Sequence, residues 1–405
     1  MPELAPKVDC TGCTACASIC PMQCIEMVPE KDGFFYPKIN LSRCVECLLC
    51  VKSCPIKSDT PSAVHLAASA YAAYSNDLKL RKESSSGGIF SEIAIEVLKK
   101  GGVVFGAAYN AQFEISHICI ETVDELYKLR GAKYAQGSLD GIFSQVQDYL
   151  KKQREVLFSG LPCQIAGLKA FLKKEYASLT CIDFVCHGVP SPAVWQKYVQ
   201  YRSRLDNHGK MPVFVNMRSK ESGWSHYQYS NMFDYGQKRW SCRSGDNLFM
   251  KLFVGDYINR LSCENCRTKG YYRVSDFTLG DFWGIWKIFP EMDDDQGTSL
   301  VILHSEKARQ LFLDIQTRIT YQAVRLEEAG FMNPSLLKAS KAKGERDPFM
   351  EKAIEGAFDE LEHYFQQTED CGKIPFSRRV LRRIRRFFKK SKMMGRLTIL
   401  KNGIF

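Results

Sequence analysis

Apolar and polar positions along this chain repeat with two periods, and the switches between them mark out its elements. Helical spacing runs through 88–100, and strand-like runs follow at 103–109 (VVFGAAY) and 113–120. A helix at 140–152 leads to a strand at 155–160 (EVLFSG), a helix at 162–174, a strand at 179–186 (LTCIDFVC) and a helix at 192–204. This alternation predicts an α/β fold with some antiparallel content. Aromatic and β-branched residues over 212–241 predict antiparallel strands, ahead of a helix at 245–258. SLVILHS at 299–305 reads as a buried strand before a helix at 306–318, whereas 320–370 has no clear period.

Residues 1 to about 60 follow neither period; they are dense in Cys and Pro, and KSDTPS at 57–62 has the composition of a linker. A chain of 405 residues exceeds one hydrophobic core, so this boundary separates domains. Hydrophobic residues at 45% and charged residues at 25% exclude a disordered or fibrous chain. No apolar run approaches the roughly 18 residues of a membrane span, and Met1 to Asp9 lacks a signal-peptide pattern, so a cytoplasmic protein is expected. The net charge of +11 is local: twelve Lys and Arg, and no Asp or Glu, follow Asp370. Residues 1–370 are therefore near neutral, at about −1 by the same count.

The seventeen cysteines are odd in number and many stand at metal-ligand spacing, which excludes a simple disulfide framework. Cys10, Cys13, Cys16, Cys20 and Pro21 spell C-x2-C-x2-C-x3-C-P, and Cys44, Cys47, Cys50, Cys54 and Pro55 spell it again. Two-residue gaps let one loop reach three corners of a cubane, while the fourth Cys of each run ligates the other cluster in two-cluster proteins. The expected sets are Cys10, Cys13, Cys16 and Cys54 for one 4Fe-4S cluster and Cys44, Cys47, Cys50 and Cys20 for the second. Zinc knuckles are the alternative, but they use four ligands per ion rather than two runs of four. Residues 5–58 resemble bacterial dicluster ferredoxins, and Cys24 reads as a buried free thiol beside them.

Five further motifs, in order, carry a second resemblance: SSSGGIFSEIA at 84–94, LRGAKYAQGS at 129–138, FSGLPCQIAGL at 158–168, DFVCHGVPSP at 183–192 and CENCRTKGYYRVSDFTLGDFWG at 263–284. They resemble the coenzyme F-420 hydrogenase/dehydrogenase beta-subunit family, flavoproteins that pass electrons between iron-sulfur clusters and a two-electron carrier. A ferredoxin joined to such a domain is similar to proteins encoded in bacterial polysaccharide-biosynthesis loci. The resemblance implies an oxidoreductase with FAD and a third 4Fe-4S cluster, on Cys163, Cys186, Cys263 and Cys266. Zinc, or unrelated buried thiols, are the alternatives for those four. Ser84, Ser85, Ser86, Gly87 and Gly88 offer hydroxyls and bare amides to a flavin pyrophosphate, though ordinary helix capping also explains them. The family pattern sets Lys133 and Tyr134 near the flavin, with a solvated Lys beside a core Tyr as the alternative; Lys133 and His187 are the candidate catalytic side chains, His187 because it follows a proposed ligand and imidazole titrates near neutrality, although a structural hydrogen-bonding role is the favoured reading of His187. Asp281, Trp283 and Trp286 are expected at the edge of the site or in the core. Cys119, Cys181, Cys242 and Cys371 read as structural thiols.

The expected fold class is thus α+β with α/β: a two-cluster ferredoxin-type domain at 1–62, a larger mixed-sheet α/β flavoprotein domain at 63–345, and a helical extension at 346–405 ending in a basic amphipathic helix. In that tail Arg378, Arg379, Arg382, Arg383, Arg385, Arg386, Lys389 and Lys390 alternate with Val380, Leu381, Ile384, Phe387 and Phe388, which fall on one helical face. An anionic membrane surface is the expected partner, with a solvated tail as the alternative; no stacking platform accompanies the charge, so no nucleic-acid partner is expected. A redox partner protein or a small-molecule carrier completes the expected partners. A non-catalytic electron-carrier subunit is the rival function.

Overall fold

The structure, a computed structural model, describes residues 1–57, 68–342 and 344–370. Near the N-terminus two four-residue helices, α1 (Ala15–Ser18) and α2 (Leu49–Lys52), bracket a hairpin of β1 (Ile25–Pro29) and β2 (Phe35–Ile39). Each helix opens within its cysteine run from a residue of positive φ, Thr14 at 63° and Leu48 at 58°. Helices this short are marginal alone, so packing must hold them.

The chain then enters an eight-stranded mixed sheet. Its first elements are β3 (Ser69–Ser75), α3 (Leu78–Glu83), α4 (Ile89–Lys99), β4 (Val103–Tyr109), β5 (Ile115–Ile120), α5 (Ile142–Lys151), β6 (Val156–Gly160), α6 (Pro162–Leu172), β7 (Leu179–Phe184) and α7 (Pro192–Asn207). A three-stranded antiparallel sheet follows, made of β8 (Phe214–Ser219), β9 (Ser230–Asp234) and β10 (Arg239–Arg243), with α8 at Leu248–Val254. The large sheet resumes with β11 (Phe277–Asp281), α9 (Ile285–Ile288), β12 (Ser299–Leu303), α10 (Glu306–Ile315) and β13 (Ile319–Val324). Short helices α11 (Leu326–Gly330), α12 (Pro334–Leu337) and α13 (Arg346–Glu355) come next. Met1–Ile354 forms one compact unit; of the second, Glu355–Phe405, the described part is α14 (Phe358–Asp370). The basic tail and Cys371 lie outside the described residues.

Strand order is β13-β3-β12-β11-β7-β6-β4-β5, with parallel pairing from β4 through β6 and β7 to β11 and antiparallel pairing at both flanks. All five residues of β6 and of β12 are buried, the mark of strands covered on both faces. Ile89, Ile93 and Val97 of α4 join Leu311, Phe312 and Ile315 of α10 in one hydrophobic cluster. Phe143, Val146, Ile165 and Leu168 of α5 and α6 form another, into which Cys13 and Ala15 of the ferredoxin-like segment also pack. The N-terminal segment thus shares a hydrophobic core with the sheet and its helices.

The mixed α/β class expected from the alternation is what forms, and most element ends fall within a few residues of expectation. The strand expected to continue to 186 stops at Phe184, and the helix expected at 245–258 is confined to Leu248–Val254. Strands β3 and β11 carried no clear alternation: β3 is SAYAAYS, whose small residues fit between two neighbours, and β11 was legible only as part of a motif.

Candidate redox site

Pairing at the two halves of the N-terminal segment brings each cysteine run against the last cysteine of the other. Cys10, Cys13, Cys16 and Cys54 line one pocket, and Cys44, Cys47, Cys50 and Cys20 line another, which Cys24 also borders. Burial first, then the sulfurs of Cys10 and Cys54, push the Cys13 thiol up to about 11. Cys50 is raised by burial and by the sulfurs of Cys47 and Cys20. Cys24 is buried and lies 3.3 Å, sulfur to sulfur, from Cys20.

A third group of cysteines gathers where the parallel strands end. Cys163 is the second residue of α6, just past β6, where Pro162 starts the helix and the Gln164 side chain accepts from the Leu161 amide at 2.8 Å. Cys186 lies two residues past the neighbouring strand β7, and Cys263 and Cys266 sit on the loop after α8. Burial, then the sulfurs of Cys186, Cys263, Cys266 and Cys13, hold the Cys163 thiol well above its ordinary value. At Cys186 burial raises the thiol while Lys269 and Arg273 act against it. Thiolates here therefore have cations at hand. The presence of Cys13 in this field has a steric cause: a Cβ on Gly167, one turn along α6 from Cys163, would stand 2.7 Å from the Cys13 Cβ and 2.9 Å from its Sγ. Only glycine lets the first cysteine loop sit this close to the third group.

Along the same edge of the sheet lies a set of buried polar groups. Tyr109 Oη, His117 Nδ1 and Arg218 Nε are buried without a hydrogen-bond partner, and each such atom costs about 1–3 kcal/mol if nothing pairs with it. Lys133 Nζ donates to Arg130 O at 2.7 Å and stands 5.8 Å from the Tyr109 ring centre; burial lowers its pKa to about 7. His117 is lowered to about 4, first by burial, with Lys133 adding to the shift. Arg218 sits at a bulge of β8, where the register with β9 shifts between Asn216 and Ser219; bulges re-aim side chains in this way. Its guanidinium pairs with Asp281 at 2.8 Å, donates to Tyr134 Oη at 3.2 Å, and lies 3.9 Å over the Tyr229 ring. Trp283 stacks on Trp224 at 4.7 Å and meets Tyr227 at 4.4 Å, shielding the pair.

The 84–88 segment joins this edge through Lys220, whose Nζ donates to the carbonyls of Arg81, Ser86 and Gln296. Burial, then Arg81, lowers Lys220 to about 7. Ser84 Oγ donates to Leu80 O and Ser86 Oγ to Thr298 O, while the Gly87 amide donates to Ser299 Oγ at 2.9 Å. A Cβ at Gly87 would stand 2.4 Å from Ala73 O, so the sheet itself demands that glycine. Gly88, at φ 88°, caps α4. Ser85 is half-buried and is the hydroxyl here with no recorded protein hydrogen bond.

His187 lies on the loop after β7. Its Nε2 is 2.9 Å from Asp256 Oδ1 and its Nδ1 3.3 Å from Ser335 Oγ, and the Phe253 ring touches both His187 and Tyr134. Lys133 also helps to lower the pKa of His117, which sequence reading passed over, as it did Arg218 and Lys220. All three sit in strands or beside them, with no local motif to signal them.

Residues 9–58 match a 4Fe-4S dicluster domain. Residues 70–142 and 153–329 match the N-terminal and C-terminal parts of the coenzyme F-420 hydrogenase/dehydrogenase beta subunit, together more than half of the chain. NADH-quinone oxidoreductase subunit I of Pelobacter propionicus is 39% identical over 69 residues, covering 14% of this chain and 37% of that protein. An uncharacterized polyferredoxin-like protein of Methanocaldococcus jannaschii is 42% identical over 66 residues, covering 14% and 39%. The chain thus spans well under half the length of both relatives. A chain of the F-420-reducing nickel-iron hydrogenase complex from Methanosarcina barkeri aligns over 75% of this chain and 92% of its own at 13% identity and a TM-score of 0.44, too weak a likeness to bear on function.

Proposed function

Because the chain belongs to the coenzyme F-420 hydrogenase/dehydrogenase beta-subunit family and has a 4Fe-4S dicluster domain in front, we propose that it is an iron-sulfur flavoprotein oxidoreductase working with a redox partner. Its role is iron-sulfur electron transfer; the flavin, the third cluster and the two-electron substrate belong to the proposal. The observation that carries it is the close approach of the Cys13 loop to α6 at Gly167, one turn from Cys163. That contact makes a route from the ferredoxin-type cysteines to the third group, and from there along one sheet edge toward Lys133 and Arg218.

Cysteine thiolates suit iron-sulfur clusters, and in this reading Cys10, Cys13, Cys16 and Cys54 hold the first, Cys44, Cys47, Cys50 and Cys20 the second, and Cys163, Cys186, Cys263 and Cys266 the third. The unpaired buried polar groups, donors on Tyr109 and Arg218 and an acceptor on His117, suit a large polar cofactor, and FAD fits the set. A flavin, when bound, converts between single electrons and electron pairs. The protein's own groups do the rest: Arg218 offers a fixed, unpaired Nε–H, Ser85 offers a hydroxyl to a phosphate, and Trp283, stacked on Trp224, covers the Arg218 side chain. Lys133, with its pKa near 7, holds or releases a proton at Nζ in the neutral range. His187, paired with Asp256, orients the loop after β7.

The test is anaerobic purification of the full chain with iron, flavin and absorbance measured together. About twelve irons and one flavin per chain are expected, and Cys263→Ser should lose about four irons and spare the rest. A chain that holds iron but takes up no flavin on reconstitution would instead be an electron-carrier subunit, a reading that the beta-subunit character of the family favours. Stoichiometric zinc in place of iron would sink both.

A further inference from the structure

The first cysteine loop receives a side chain from far along the sequence. Arg260, only 1% exposed, donates from Nε to Cys10 O at 2.7 Å, from Nη1 to Gln136 Oε1 at 2.7 Å and from Nη2 to Phe35 O at 3.0 Å, and its Nη2 lies 3.8 Å from Cys10 Sγ. The guanidinium also lies 4.1 Å over the Tyr36 ring. None of these partners is a carboxylate; Asp32, which accepts from the Tyr36 hydroxyl, is paired with Lys7 at 3.4 Å. Gly12 makes room: at φ 70°, a Cβ there would stand 2.6 Å from Gln136 Nε2 and 2.9 Å from Arg260 Nη1.

The second run has the same loop and the opposite charge. At the place matching Gly12 stands Glu46, also left-handed at φ 51°, whose carboxylate meets the N-terminal amine at 3.7 Å. Cys10 and Cys13 are buried, whereas Cys47 is exposed. Adding an electron to a cluster adds negative charge, and burial penalises that charge. Without compensation the buried first site would be the harder one to reduce.

We infer that Arg260 is a positioning residue that raises the reduction potential of the site formed by Cys10, Cys13, Cys16 and Cys54, an inference that rests on the cluster assignment proposed above. Net charge and hydrogen bonds to the sulfurs are among the levers that set such potentials. A buried guanidinium bonded to the Cys10 peptide and facing its sulfur uses both. Arg260 also sits three residues ahead of Cys263, so the segment that carries the third group also tunes the first site.

The experiment is an anaerobic redox titration followed by electron paramagnetic resonance on full-length protein with iron quantified, using Cys47→Ser to mark the signal of the second site. Arg260→Gln should keep its iron and lower the midpoint of the first site by roughly tenfold in electron affinity, about 59 mV for one electron, with the second site unmoved. Gln136→Glu, which leaves Arg260 in place and sets a carboxylate against Nη1, should move the same signal in the same direction. Arg260→Lys, which keeps the charge, should move it less. Full iron with neither potential shifted in Arg260→Gln overturns the inference, as do equal shifts at both sites. Should Arg260→Gln lose iron, an unmoved potential in Gln136→Glu overturns it. Wild-type protein without two N-terminal clusters would overturn the assignment itself.

Discussion

Lys133, on the loop before α5, adds to the shift of His117 in β5, and burial works against the charged form of both. In the folded chain Lys133 titrates at about 7 instead of 10.5, so the unfolded chain binds the extra proton between those values and stability rises with pH across that window. His117 titrates at about 4 instead of 6.5, so stability falls as pH drops from 6.5 toward 4. Urea denaturation across pH should show Lys133→Met flattening the alkaline limb alone and His117→Gln the acid limb alone. A third buried group is held by full pairing: Asp183 accepts from Arg273 at 3.1 Å, Ser275 at 2.8 Å and Thr278 at 2.6 Å, with both charged side chains almost inaccessible. Arg273→Met leaves a buried carboxylate unpaired and should cost about 3–5 kcal/mol in the same assay.

Elements meet at two glycines whose missing side chains decide how closely they approach. Gly167→Val would force α6 away from the Cys13 loop, an overpacking that costs about 1–3 kcal/mol. In stopped-flow reduction the lag between iron-sulfur and flavin bleaching should lengthen in this variant while both cofactor contents hold; an unchanged lag would detach the contact from electron flow. Gly87 packs on β3 and β12, so Gly87→Val should lower the thermal midpoint through a clash with the Ala73 carbonyl and says little about phosphate. Ser85→Ala disturbs no recorded side-chain bond, so weaker flavin retention in that variant, read by ultrafiltration, reports the ligand rather than the fold.

At the scale of the whole molecule the charge is divided between a near-neutral body and a basic tail. No helix among the described residues is long and apolar enough to cross a membrane. The tail's affinity for an anionic surface, at about 1 kcal/mol per basic residue, is a proposal from composition, because those residues lie outside the described part. Full-length protein should pellet with anionic vesicles at low salt and be released by high salt, whereas a 1–370 truncation should stay in the supernatant; equal pelleting of both, or equal binding to neutral vesicles, would remove the tail from the account.

Much of this was legible along the chain. Alternation placed β4 to β7 and the helices between them because each strand and helix advertises its own burial period, and the doubled cysteine run announced iron because a cubane is gripped by residues two apart. Ser84 to Gly88 were also visible, although Gly87 proved to be engaged by the sheet. What the chain did not announce were contacts between distant segments: His117 beside Lys133, Arg218 aimed by a bulge, and Arg260 against a cysteine loop 250 residues earlier. Spacing encodes a grip that one loop makes by itself. A buried guanidinium acquires its partner only when the sheet brings two remote loops to one edge, and that choice belongs to tertiary packing.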